Sequence, residues 1–256
     1  MIFSEPPASQ GDVHFRVFGI PIRIHPFFWV VALILGIQGS KVPPATVLIW
    51  ITALLLSITV HELGHALMQR RYGGRPRIVL YGMGGLAICD DCERSSKAQI
   101  LICLAGPGAG FLLAILLLVA LRALGHQGGV SLGSLSASDA ADLVIYPLLG
   151  LNFYWMPFAS INLNLMVLNL LWINVMWGAV NLLPIYPLDG GQISRELCML
   201  GQPRKGIMLS LQISIVAAAA MAIVGLSWGS FFVVLMFGYL AYSSYRALEA
   251  YRASRW

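Results

Sequence analysis

Residues 42–60, 98–121, 206–226 and 228–245 carry no charged side chain, and a fifth uncharged stretch runs from 143 to 188. Each of the first four approaches the roughly 20 residues that a helix needs to span a bilayer. The whole chain is 58% hydrophobic and 11% charged, well below the roughly 25% charged of a soluble domain. A polytopic membrane protein is therefore expected and a soluble globular one excluded. The first 20 residues have neither a basic start nor an apolar core, so the first span is expected to serve as the targeting element. The net charge of +5 reads as membrane topology. No basic patch is interleaved with aromatics, and nucleic acid is not an expected partner.

Six spans are predicted, at about 26–40, 46–69, 98–122, 162–183, 206–226 and 228–248. Residues 1–12 read as disordered, and 13–24 alternate around Gly19 as a short extended element or hairpin at the membrane surface. His25, which follows, reads as interfacial. The glycine-rich, β-branched run from Arg77 to Cys89 reads as strand, between spans two and three. Pro107 is expected to bend span three, whose Gly106, Gly108 and Gly110 permit close helix packing. Residues 143–161, broken by Pro147, Gly150 and Pro157, read as interfacial or re-entrant. With the amino terminus inside, fourteen of the sixteen basic residues fall in inner segments; Lys41 and Arg122 are the exceptions. That asymmetry places both termini on the cytoplasmic side. Cys89 and Cys92 form a lone C-x-x-C, read first as reduced surface thiols, with metal or redox binding as the alternative.

Span two contains His61-Glu62-Leu63-Gly64-His65. On a helix, residues four apart are displaced by roughly 40°, so both imidazoles project from one face and Glu62 lies on its flank. Two imidazoles and a carboxylate able to accept a proton from water suit Zn²⁺ chemistry. Ionisable groups inside a span are expensive, each costing roughly 3 kcal/mol, which makes a functional site the default reading. The alternative is a histidine pair satisfied by backbone carbonyls. A hydrolytic zinc site wants a third protein ligand. Away from the span ends, the acidic residues in the hydrophobic segments are Glu62 and Asp189. Asp189 follows Pro184 and Pro187 and precedes Gly190-Gly191, so it is either that ligand or an ordinary helix N-cap. With one span between them, spans two and four run parallel, and both motifs fall toward the cytoplasmic side.

Taken together, His61-Glu62-x-x-His65 and Asn181-Leu-Leu-Pro184-Ile-Tyr-Pro187-Leu-Asp189-Gly190 resemble the site-2 protease family of intramembrane zinc metalloproteases. The compact bacterial type of stage IV sporulation protein FB is the most similar form. The segment Gly19-Ile-Pro-Ile-Arg-Ile-His25-Pro and Ala105-Gly106-Pro107 are similar too, and the likeness runs from about 17 to 200. It implies one Zn²⁺ per chain held by His61, His65 and Asp189, with Glu62 as general base. It also implies a transmembrane protein as substrate, cut within or beside its helix in a bacterial cytoplasmic membrane, as in regulated proteolysis. Asn181 matches the motif's asparagine and would contact substrate or oxyanion; the alternative is helix packing. Gly82, Gly84 and Gly85 would let an unwound substrate add as a strand, or else punctuate a structural hairpin.

The expected fold is all-α and polytopic, about six transmembrane helices with a small membrane-associated β element between helices two and three. Residues 1–256 are expected to form one membrane-embedded peptidase domain. Its parts are a surface segment (1–25), a transmembrane core (26–249) and a cytoplasmic tail (250–256), with no PDZ or CBS domain apparent. Two other functions stay open. One is a transporter or ion pathway using intramembrane His, Glu and Asp; the other is an inactive metal-binding scaffold.

Overall fold

In the computed structural model of the protein the described residues are 5–37, 42–82, 84–133 and 142–253. Val13–Val17 (β1) and Ile20–Ile24 (β2) form an antiparallel hairpin. Its turn holds Phe18 at φ 51° and Gly19 at φ 79°, the left-handed pair that matches strand twist. Alternation buries Ile20, Ile22 and Ile24. Residues 5–12 are tied down, contrary to the expected disorder; residues 1–4 lie outside the described residues. The Arg23 guanidinium donates to the carboxylates of Glu5 and Asp12 at 3.1 and 2.9 Å and to the carbonyls of Pro6 and Pro7.

Pro26–Gly36 (α1) starts on a proline, and His25 caps it by accepting from the Phe27 amide through Nδ1. His25 is thus a helix cap. At ~1.5 Å per residue, its 11 residues reach about half of a ~30 Å hydrocarbon core. The expected first span is therefore too short as a helix; residues 38–40 lie outside the described residues. Pro44–Arg71 (α2), Ser96–Ala123 (α3) and Ile161–Asn181 (α4) are longer. After the short Asp189–Gly201 (α5) come Gly206–Ser227 (α6) and Phe231–Ala253 (α7). Five helices among the described residues are long and apolar enough to cross a membrane: α2, α3, α4, α6 and α7. The last continues through residues 250–253, which had been expected as tail.

Arg77–Tyr81 (β3) and Gly84–Ile88 (β4) pair antiparallel between α2 and α3. The β element is larger than expected, because β2 joins β3 in parallel and the sheet order is β1-β2-β3-β4. A parallel pair requires the chain to return to its starting end. Here α1 runs one way and α2 runs back against it. The amino-terminal hairpin and the segment after α2 consequently share one end of the molecule, although α1 is no full span.

Residues 143–161 form neither a span nor a re-entrant helix. Val144–Leu148 (β6) and Leu151–Trp155 (β7) make a hairpin through Leu149 (φ 53°) and Gly150 (φ 79°). Gly128–Ser131 (β5) adds to β7, giving the order β5-β7-β6. Phe153 and Trp155 point into a cluster with Ala114, Leu121 and Leu171, and the Trp155 indole donates to Asn164 Oδ1. The aromatic run is a strand with alternate residues inward.

Cys89 and Cys92 are joined in a disulfide where reduced thiols were expected. The turn through Asp90 and Asp91 brings their Cα atoms to 5.6 Å, inside the bridging range. Both sulfurs lie on the backbone of Gly74, where a Cβ would meet them at 2.2–2.4 Å.

Candidate metal centre

Helices α2 and α3 approach closely enough that a Cβ on Gly64 would lie 2.2 Å from the Ala105 carbonyl oxygen. That contact aligns the carboxyl half of α2 with Ile102–Gly106 of α3. His65 Nδ1 lies 2.7 Å from the Ile102 carbonyl. The bond needs the proton on Nδ1 and leaves the Nε2 lone pair free to bind a metal. On the other side of the ring, a Cβ on Gly106 would come within 2.1 Å of Nε2. Glycine there leaves the imidazole its place. The Nε2 atoms of His61 and His65 stand 3.1 Å apart.

Asp189 reaches this pair from the other direction. Pro184 and Pro187 stop α4 from continuing, and the chain turns through residues 182–188 before α5 begins. The first turn of α5 packs onto that loop. A Cβ on Gly190 would meet the Leu182 carbonyl at 2.1 Å, and one on Gly191 the backbone of Ile185 and Tyr186 at 2.4 Å. Asp189 Oδ2 ends 3.2 Å from His61 Nε2 and 3.3 Å from His65 Nε2. Its carboxylate does not cap α5: Leu188 occupies the cap position, with no side-chain cap hydrogen bond.

The three donor atoms make a mutual triangle of 3.1–3.3 Å. Ligands held ~2.0–2.1 Å from a tetrahedral ion are separated by roughly 3.3 Å. All three residues are buried, and Asp189 Oδ2 is a buried oxygen with no hydrogen-bond partner. A buried carboxylate oxygen crowded against two imidazole nitrogens is costly unless a cation joins them. The donor set and its spacing fit Zn²⁺.

Glu62 is buried beside His61, and its side chain covers the backbone of Gly85, where a Cβ would lie 2.3 Å from Glu62 Cγ. Gly85 therefore makes room for Glu62. Gly84 is different: a Cβ there would meet only Trp177, at an ordinary 3.6 Å. Gly82 forms the turn at φ 56° beside Phe27. Strand β4 is at the edge of its sheet, fixed to α2 by Gln69 Nε2 donating to the Ala87 carbonyl at 3.1 Å. Asn181 is buried, and its Nδ2 donates to the Trp177 carbonyl one turn back. Asn174 spans two helices, donating to Ser57 Oγ and the Leu170 carbonyl. Sequence reasoning missed Ile102 and Gly106 as neighbours of His65. The signal for Gly106 was the small-residue run at 105–110, read as helix packing and as part of the family likeness; nothing marked Ile102.

A model of Peptidase family M50 matches residues 49–224. The chain belongs to Peptidase family M50. Among curated relatives, the zinc metalloprotease MJ0392 of Methanocaldococcus jannaschii is 29% identical over 221 residues, covering 84% of this chain and 52% of that protein. The putative zinc metalloprotease sll0528 of Synechocystis sp. is 26% identical over 211 residues, covering 77% and 47%. This M50 chain thus spans about half the length of the curated relatives it matches. The solved site-2 protease from Methanocaldococcus jannaschii shares its fold, with a TM-score of 0.55 at 24% identity, over 93% of this chain and 95% of that one.

Proposed function

We propose that the protein is a zinc-dependent intramembrane endopeptidase that hydrolyses a peptide bond within or next to a substrate's transmembrane helix, in the setting of regulated proteolysis. The observation that carries this reading is the convergence of His61 Nε2, His65 Nε2 and Asp189 Oδ2 on one point, with the buried aspartate oxygen otherwise unpartnered. These three residues would hold one Zn²⁺ per chain. A bound Zn²⁺ supplies Lewis acidity that lowers the pKa of water toward ~7 and polarises a carbonyl. Glu62 accepts a proton from the attacking water. As the new C–O bond forms and the C–N bond breaks, Glu62 passes that proton to the departing amine. The products are an amine and a carboxylic acid, which releases the second proton of the water to solvent as it ionises.

A helical substrate hides its carbonyls and must unwind to be cut. The position of β4 at the end of its sheet supports docking of the unwound segment by strand addition, with Gly84 allowing close approach. Asn181 would contact that segment or the developing oxyanion. The protein would act as a multi-pass protein of the bacterial cytoplasmic membrane, termini inside. A transporter scatters polar groups along several spans, whereas these converge at one depth.

Glu62→Gln preserves side-chain size and removes the base. It should retain close to one zinc per chain while proteolysis falls by ~10²-fold or more. Asp189→Ala should lose zinc and activity together, with partial recovery in excess zinc. Wild-type cleavage by Glu62→Gln would sink the hydrolytic mechanism. Full zinc retention by Asp189→Ala would remove Asp189 as a ligand.

A further inference from the structure

Two serines on the last helix pair bracket the loop that delivers Asp189. Ser214 on α6 and Ser244 on α7 are each fully buried, and their hydroxyls are 2.8 Å apart. Ser214 Oγ accepts from the Tyr186 amide at 2.8 Å, and Ser244 Oγ donates to the Tyr186 carbonyl at 3.3 Å. Both polar groups of one peptide residue, three positions before Asp189, are thus held by side chains from two helices that carry none of the candidate ligands. Ile185, also fully buried, sits in the apolar cluster formed by Ala218, Phe237 and Leu240. The first turn of α5 then rests on the same residues, since a Cβ on Gly191 would strike the Tyr186 amide nitrogen at 2.4 Å.

We infer that Ser214 and Ser244 are positioning residues for the metal site. They fix the Tyr186 peptide, and through Gly191 and α5 they fix Asp189 Oδ2 opposite His61 and His65. This makes α6 and α7 part of the catalytic apparatus as well as lipid-facing spans. The inference rests on Asp189 being the third ligand.

The test compares Ser214→Ala and Ser244→Ala with Ser210→Ala, in the full chain in detergent. Ser210 is buried on the same helix, but its hydroxyl returns to the Ile207 carbonyl of that helix, so it controls for loss of a buried hydroxyl. Hydrogen exchange in the peptide 182–192 should quicken at least tenfold in both test variants and stay unchanged in Ser210→Ala. Zinc affinity, measured by chelator competition, should fall about tenfold in the test variants, and the visible spectrum of the Co²⁺-substituted site should shift. Unchanged exchange in both test variants overturns the proposal whatever the metal does, and so does an equal effect of Ser210→Ala. Faster exchange with unaltered zinc affinity and cobalt spectrum overturns the link to Asp189. A wild-type chain that binds no metal would instead defeat the metal-site reading itself.

Discussion

At Gly106 a single methyl group decides whether His65 can keep its place. A Cβ there would stand 2.1 Å from Nε2, the atom that would bind metal, whereas a Cβ on Gly108 would meet nothing within 4 Å. The two positions share a helix, so Gly→Ala raises helix propensity equally at both. Gly106→Ala should lower zinc affinity by at least about tenfold, the effect of disturbing one ligand. Gly108→Ala should bind zinc like wild type and be as stable or slightly more so. Equal behaviour of the two variants would contradict the placement of His65. The strand glycines separate in the same way. Gly84→Val should slow cleavage with zinc content and abundance unchanged; loss of folded protein would make β4 a structural hairpin alone.

At the scale of the element, what could be read from the sequence depended on whether one periodicity dominated. Long uncharged runs announce helices, and α2, α3, α4, α6 and α7 lie close to the predicted limits. The hairpin at Gly19 was legible because alternation and a turn glycine coincide there. The β6–β7 hairpin was not, since Phe153, Tyr154 and Trp155 are all apolar enough to hide which of them faces inward. Parallel pairing of β2 with β3 joins residues more than fifty positions apart, and no local pattern encodes it. For the candidate site, the spacing of His61 and His65 gave their shared face, but the Ile102 carbonyl and Gly106 come from a neighbouring helix.

The amino-terminal clamp illustrates a tertiary effect on a segment whose composition suggested disorder. Arg77, helped by Arg23, holds the Glu5 carboxyl below its ordinary value. For Asp12, burial pushes the carboxyl up, but hydrogen bonds from Ser9 and Arg23 prevail and hold it well below. With both folded values depressed, the clamp is complete above the ordinary carboxylate range of about 4 and weakens as pH falls below it. A spin label at Ala8 should therefore be immobilised at neutral pH and gain mobility on acidification. Mobility that is the same at both would contradict the clamp.

For the whole molecule, the meeting of Asp189 with His61 and His65 requires the carboxyl ends of α2 and α4 to lie on one side. With α3 antiparallel between them, the sheet β1–β4 and the sheet β5–β7 occupy opposite ends. A reporter fused at Gly133 should read outside and one at Arg94 or Arg204 inside; a cytoplasmic Gly133 would break the parallel relation. The purified chain should be reconstituted with a model single-span protein and zinc, and the products mapped by mass spectrometry. The cut should fall inside the apolar segment or at its edge and be abolished by chelation and by Glu62→Gln. Cleavage confined to soluble peptides, or proceeding undiminished in Glu62→Gln, would contradict the proposed function.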